Sequence, residues 1–436
     1  MLKIDYANLM SDAVGAGDGL TGAEISTLAD SVKAAHKKFG QWRADKAAVF
    51  FDVVNDAEIT KGIPEKATLI AKDFDNLVVL GIGGSSLGMR CLAQALLPAQ
   101  WNLRTKEARG GKPRLFVCDN IDPDSYSALL DILDLTRTCF VVVSKSGGTT
   151  ETAAQYLVAK KRLMDRLGDG WRKNVVAVTD PKKGVLREIV SKERLDAFPV
   201  PSMLGGRFSV LSPVGLFPAA CLGMDINAML AGSREIAKLC SAATLDENPA
   251  YKIGAFHYWF DAKKKKNMSV MIPYADALML ASDWYAQLWA ESLGKQDGGS
   301  TPIKALGATD QHSQVQLYME GPRDKVFTFL GVEKFSADDS ATRISEADGA
   351  YEYLNGKDMG EILRAEQAAT TRALASQGRP SLTVAFPAVD ARHMGEFFML
   401  YETATAIAGA LYGVNPFDQP GVELGKKLTR EILGKE

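Results

Sequence analysis

Histidine and cysteine are scarce, and their spacing excludes several kinds of chemistry. Four histidines (His36, His257, His312 and His393) are spread through 436 residues with no HExxH or His/carboxylate spacing, so the sequence offers no ligand set for a metal. The five cysteines (Cys91, Cys118, Cys139, Cys221 and Cys240) are odd in number, form no CxxC pair and have mostly apolar neighbours. They read as reduced core thiols of a cytosolic protein. No stretch reaches the ~18 apolar residues of a membrane span, and Met1 to Asp5 already carries a Lys and an Asp with no apolar run behind it. Neither membrane insertion nor export is expected. An excess of one charge is missing too: 51 basic and 53 acidic residues leave a formal net charge of −2, which gives nucleic acid or an anionic membrane nothing to bind. An anionic ligand has to be held by local groups.

What is present is an ordinary globular composition, 46% hydrophobic and 24% charged, in a chain long enough for two domains. From Leu77 onward, short β-branched runs (Leu77 to Ile82, Arg114 to Cys118, Cys139 to Val143, Val175 to Thr179) alternate with helix-length amphipathic segments. That alternation predicts an α/β fold, doubly wound around a mainly parallel sheet. A second set of runs follows Pro213, at Met268 to Ile272, Val326 to Gly331 and Leu382 to Phe386. We expect an N-terminal helical arm (1–50), a first α/β domain (51–200), a second (201–395) and a C-terminal helical segment (396–436). Lys263 to Lys266 reads as a solvated turn.

Two loops stand where a strand should give way to a helix. The first, Gly81 to Gly88, follows an apolar run, and its glycines let backbone N–H groups approach an anion at the positive helix end. The dinucleotide fingerprint would need Gly where Ser86 stands, although Asp119 could imitate a ribose-binding acid, so a nicotinamide-dependent oxidoreductase stays open at this point. The second loop, Ser144-Lys145-Ser146-Gly147-Gly148-Thr149-Thr150-Glu151-Thr152, gathers hydroxyls, free amides and a lysine in one turn. Those donors suit a phosphate monoester; the competing reading is hydroxyl-rich helix capping alone. No GxxxxGK[ST] run is present for a nucleoside triphosphate.

The pattern Ser-x-Ser-Gly-x-Thr-x-Glu-Thr after a strand resembles the sugar-isomerase domain of phosphosugar isomerases and phosphosugar-sensing regulators. Four further segments are similar to the glucose-6-phosphate isomerase family: Ser202 to Gly215, Gly413 to Lys426, Gln287 to Lys295, and the pair Gln311-His312. The resemblance runs from about Leu77 to the C-terminus. It implies two doubly wound sugar-isomerase domains with the active site between them, and reversible conversion of glucose 6-phosphate to fructose 6-phosphate in the cytoplasm, within glycolysis and gluconeogenesis. It also implies a homodimer sharing its active sites, with no cofactor, metal, nucleic acid or membrane partner. By the same resemblance Ser144, Ser146 and Thr149 hold the phosphate, Gly84, Ser85 and Lys145 line the sugar, and Gln287 and Gln419 hold hydroxyls or phosphate. Lys426 becomes a ring-opening group on the sugar oxygen.

Aldose–ketose isomerisation independently needs ring opening, removal of a proton beside a carbonyl, stabilisation of an enediolate, and return of the proton one carbon away. Glu291 is the expected base: Leu280, Trp284, Gln287 and Glu291 form one helical stripe, and the helix end with partial burial would disfavour its charge. Arg207 follows two glycines, and its permanent charge suits a nascent oxyanion. His312, among polar neighbours, can exchange a proton near neutrality and open the ring. A non-catalytic phosphosugar-binding regulator is the main alternative; it needs the Ser144 to Thr149 loop but not Glu291, Arg207, His312 and Lys426 together.

Overall fold

In the computed structural model, residues 1–337 and 340–434 are described. Strand β1 (Lys3–Asp5) comes first and joins a sheet completed much later in the chain. Strands β2 (Asn76–Leu80), β3 (Arg114–Cys118), β4 (Thr138–Val143), β5 (Val175–Thr179) and β6 (Asp196–Pro199) form an all-parallel sheet in the order β3-β2-β4-β5-β6. The second sheet has the order β1-β10-β9-β7-β8, built from β7 (Met268–Pro273), β8 (Thr301–Lys304), β9 (Lys325–Val332) and β10 (Ser381–Phe386). Only β1 runs antiparallel, with Lys3 opposite Ala385.

The central strands β2 and β4 are buried along their whole length, as parallel strands covered on both faces must be. Their side chains alternate between two cores: Leu77, Val79, Cys139 and Val141 face one cluster, while Val78, Leu80, Phe140 and Val142 face another. The second sheet repeats the device, with Val270, Ile272, Phe327 and Phe329 on its far side and Met271, Leu330, Val384 and Phe386 in the same cluster as Leu77 and Val79. The facing sides of the two sheets thus share one continuous core. Through it runs the helix Ala391–Tyr412, which continues without a break across position 395 and is buried from His393 to Gly409.

The strands that periodicity did not reveal are all at sheet margins. β6 and β8 each contain a proline, Pro199 and Pro302, which a strand tolerates at an edge where one row of N–H groups has no ladder partner. β1 places a strand inside the segment expected to be purely helical; the remainder of that segment is dominated by the helix Gly22–Ala44, begun by a capping box between Thr21 and Glu24. The lysine run at 263–266 is not simply solvated: Lys266 is buried, 2.8 Å from Asp18, and Lys264 lies 3.0 Å from Glu24. All five cysteines are free and buried. Among the described residues no helix is long and apolar enough to cross a membrane.

Candidate active site

Strand β3 lies on one side of β2 and β4 on the other, so the chain reverses its winding between β2 and β4. The crevice outside the carboxyl ends of such strands is where doubly wound sheets bind ligands, and both Gly/Ser-rich loops emerge there. After β4, Ser144 is buried and its Oγ accepts from the Gly147 amide at 3.0 Å, while Ser146 Oγ accepts from the Gly148 amide at 3.1 Å. The helix Thr150–Leu167 follows, with Thr149 at its N-cap making no side-chain capping bond. Capping alone therefore does not account for the hydroxyls, and the first amides of this helix keep their capacity for an anion. Ser146, Gly148, Thr149 and Thr150 form one wall of a cleft of about 880 Å³ whose opposite wall is the C-terminal helix Glu423–Ile432, with Lys426, Thr429 and Arg430.

The loop after β2 is pressed onto the segment that carries Arg207. A Cβ at Gly84 would lie 2.1 Å from the carbonyl carbon of Gly206 and 2.5 Å from the Arg207 amide nitrogen, an approach open only to glycine. Ser85 beside it is half-buried. Arg207 is 3% exposed and its donors are fully engaged. Nε donates to Ser292 Oγ at 2.7 Å, Nη1 to Gln419 Oε1 at 2.9 Å, and Nη2 to the carbonyls of Pro416 and Asp418. Nη1 also stands 3.5 Å from Glu291 Oε2. Burial pushes the guanidinium pKa down, and Glu291 and Asp418 push it back up.

Gln287 and Glu291 sit one turn apart on the helix Met279–Leu293, which follows β7. Gln287 Nε2 donates to Glu291 Oε2 at 3.2 Å, and Gln287 Oε1 is buried without a partner among the described residues. A polar atom so placed is ready for a ligand hydroxyl. Glu291 is half-buried near the end of its helix, as expected, and the structure adds an ion pair with Arg207 and a hydrogen bond from Gln287. The cavity, of about 420 Å³, is bounded by Gln287, Glu291, Lys295 and Gln419, and Val422 lines both it and the larger cleft.

The structure thus brings Gly84, Arg207, Gln287, Glu291 and Gln419 together, and sets Ser146, Thr149 and Lys426 around the adjoining cleft. Lys426 is exposed and ion-paired with Glu423 at 2.8 Å. Two expected residues stand elsewhere. Lys145 Nζ donates to the carbonyls of Ser202 and Leu204 at 3.1 and 2.9 Å, away from a sugar-lining role. His312 ends the short turn Thr309–His312, is exposed, and borders neither cavity. Sequence reasoning missed Lys295: it binds the Asn415 carbonyl at 2.6 Å and Asp418 at 3.2 Å, and so fastens the segment that delivers Gln419. Its position at the end of the Gln287 to Lys295 run was the available signal. Among the described residues no group of three or more His, Cys, Asp or Glu side chains could hold a metal ion.

One known family and three known proteins resemble the chain. The sequence profile of the family described as Phosphoglucose isomerase matches residues 65–436. A glucose-6-phosphate isomerase of Rubrobacter xylanophilus is 42% identical over 442 residues, spanning 100% of this chain and 98% of that one. Among solved structures, a hypothetical protein from Thermus thermophilus superposes with a TM-score of 0.87 at 34% identity, with both chains covered in full. A glucose-6-phosphate isomerase from Chlamydia trachomatis shares the fold, with a TM-score of 0.82 at 23% identity over 99% of this chain and 88% of that one.

Proposed function

This chain belongs to the phosphoglucose isomerase family, and from that premise we propose that it interconverts glucose 6-phosphate and fructose 6-phosphate through an enediolate, with Glu291 as the base. The observation that carries the assignment of roles is the Glu291 carboxylate between Gln287 Nε2 and Arg207 Nη1, at a cavity that shares Val422 with the lining of the hydroxyl-lined cleft. The phosphoryl group takes Ser144, Ser146, Thr149 and the free amides of the helix Thr150–Leu167. The sugar then extends past Gly84 and Ser85 toward Gln287, Glu291 and Gln419. Glu291 removes the proton from C2 of the aldose and returns it to C1, while the nearby positive charge of Arg207 offsets charge growing on the enediolate oxygens. Proton transfer within one substrate consumes no cofactor. The expected setting is the cytoplasm, in glycolysis and gluconeogenesis.

Ring opening falls to Lys426 and His312. The exposure of His312, away from both cavities of its own chain, favours a homodimer in which it serves the site of the neighbouring copy. Mixed dimers of Glu291→Ala and His312→Ala chains should then regain activity on cyclic substrate, because one of their two sites combines an intact base with an intact histidine. No gain in a verified mixed dimer refutes the shared site alone. The central assignment is tested by a coupled assay with fructose 6-phosphate and chelator: no glucose 6-phosphate formed overturns the activity, and loss on chelation overturns the metal-free chemistry. A nicotinamide-independent turnover also separates this reading from an oxidoreductase, and turnover of any kind separates it from a phosphosugar sensor.

A further inference from the structure

Lys145 lies in the middle of the hydroxyl-rich loop, yet its ammonium points away from the cleft. The side chain is half-buried, and Nζ donates to the carbonyls of Ser202 and Leu204 at 3.1 and 2.9 Å. Its main chain is fixed as firmly: the Lys145 carbonyl accepts from the Thr179 hydroxyl and from the Asp180 amide, both at 3.1 Å. Behind the loop the packing is close, since a Cβ at Gly184 would stand 2.5 Å from the Ser146 carbonyl oxygen. The loop therefore has little freedom to shift without carrying Lys145 with it. The carbonyls that Lys145 grips lie on the short stretch leading to Arg207: Leu204 is followed by Gly205 and Gly206, and Gly206 is the residue against which Gly84 is packed.

We propose that Lys145 is a positioning residue, coupling the seating of the phosphoryl group in the Ser144–Thr149 loop to the placement of Arg207, and through it of Glu291 and the 416–419 segment. This rests on the functional reading above and assigns Lys145 no direct contact with the sugar. The physical route is short. A half-buried ammonium leaves part of its water at a cost that its two carbonyl partners offset, which favours one geometry for the three groups. Arg207 in turn fixes Glu291, Gln419 and the carbonyls of Pro416 and Asp418. Displacing reacting groups by about 1 Å can cost on the order of 10²-fold in rate, so a loosened Lys145 contact reaches turnover without touching the phosphate donors.

The test is kinetic. Lys145→Met removes the donors while keeping an unbranched chain; we expect turnover of fructose 6-phosphate to fall roughly 10-fold or more, with competitive inhibition by inorganic phosphate unchanged within about 2-fold. A phosphate ligand would show the reverse, with weakened inhibition and retained kcat, and that outcome overturns the proposal. A double-mutant cycle with Arg207→Lys supplies the second readout: the Lys145→Met loss should shrink in the Arg207→Lys background, and strict additivity overturns the coupling. Thr179→Val, which removes only the hydroxyl on the Lys145 carbonyl, provides the milder variant if the Met chain fails to fold, with the same split between kcat and phosphate inhibition expected. Glu291→Gln measured alongside keeps the two levels apart: if that variant retained full turnover, the reading of the site itself would fail, whatever Lys145 does.

Discussion

Glu402 should make the folded protein less stable as pH rises. It lies inside the buried helix Ala391–Tyr412, fully inaccessible, and neither carboxylate oxygen has a hydrogen-bond partner among the described residues. Burial alone raises its pKa well above the usual carboxylate range. The folded state therefore holds a proton that the unfolded chain releases above its ordinary value of 4.5. With more protons bound folded than unfolded, stability is fully present below that value and falls as pH rises, by about 1.4 kcal/mol per pH unit while the folded carboxyl stays protonated. Glu402→Gln substitutes a neutral group of similar size that does not titrate. Between pH 5 and pH 7 the variant should gain stability over the parent chain, at up to about 1.4 kcal/mol per pH unit. The measurement is a set of urea unfolding curves for both proteins at pH 5, 6 and 7 and one protein concentration. The contribution of His257, whose burial lowers its pKa to about 4, is common to both chains and cancels in the difference. A stability difference that stays constant across the three pH values would show that the carboxyl is charged or partnered in the fold, and the reasoning from its burial would be wrong.

Three further outcomes concern the site. Glu291→Gln should keep the fold and phosphate inhibition but lose about 10²-fold or more in turnover, with solvent hydrogen exchange into substrate falling in parallel; normal exchange would move the base elsewhere. Ser146→Ala and Thr149→Ala should chiefly raise KM for phosphorylated sugars, since binding shared by ground state and transition state is lost, and a loss confined to kcat would contradict a phosphate role for this loop. Gly84→Ala puts a methyl group 2.1 Å from the Gly206 carbonyl carbon, where backbone must yield. It should destabilise by about 1–3 kcal/mol and depress activity together; unchanged thermal unfolding and turnover would mean that the two loops are not in register as described.

The legible part of the fold is the part governed by side-chain pattern. β2, β4, β5, β7, β9 and β10 announce themselves because burial demands near-continuous apolar runs, while β3, a half-buried edge strand, is legible from its own apolar run Leu115 to Cys118. β1, β6 and β8 are short margins whose membership depends on a neighbour's backbone, and Lys3-Ile4-Asp5 carries no trace of β10 in its own composition. The site divides along the same line. Gln287 and Glu291, one turn apart, and the hydroxyl run from Ser144 could be read locally, because helix spacing and strand-to-helix position fix where such residues stand. The partners of Arg207 and Lys145 could not, since most are main-chain carbonyls, which exist at every position and distinguish none. Lys145, placed among phosphate donors by its neighbours in sequence, is drawn to carbonyls 57 and 59 residues further on.

The engagement of Arg207 with the Pro416 carbonyl, 209 residues later in the chain, sets a timetable for synthesis. At the usual ~5–20 residues per second a ribosome needs roughly 10–40 s between the two positions. Throughout that interval the first sheet can be complete while its most demanding cation has neither the carbonyls of Pro416 and Asp418 nor Gln419 to bind. A nascent chain arrested before residue 415 should consequently expose Arg207 to arginine-specific reagents that the finished protein excludes. The order of synthesis thus places the partners of this guanidinium long after the guanidinium itself.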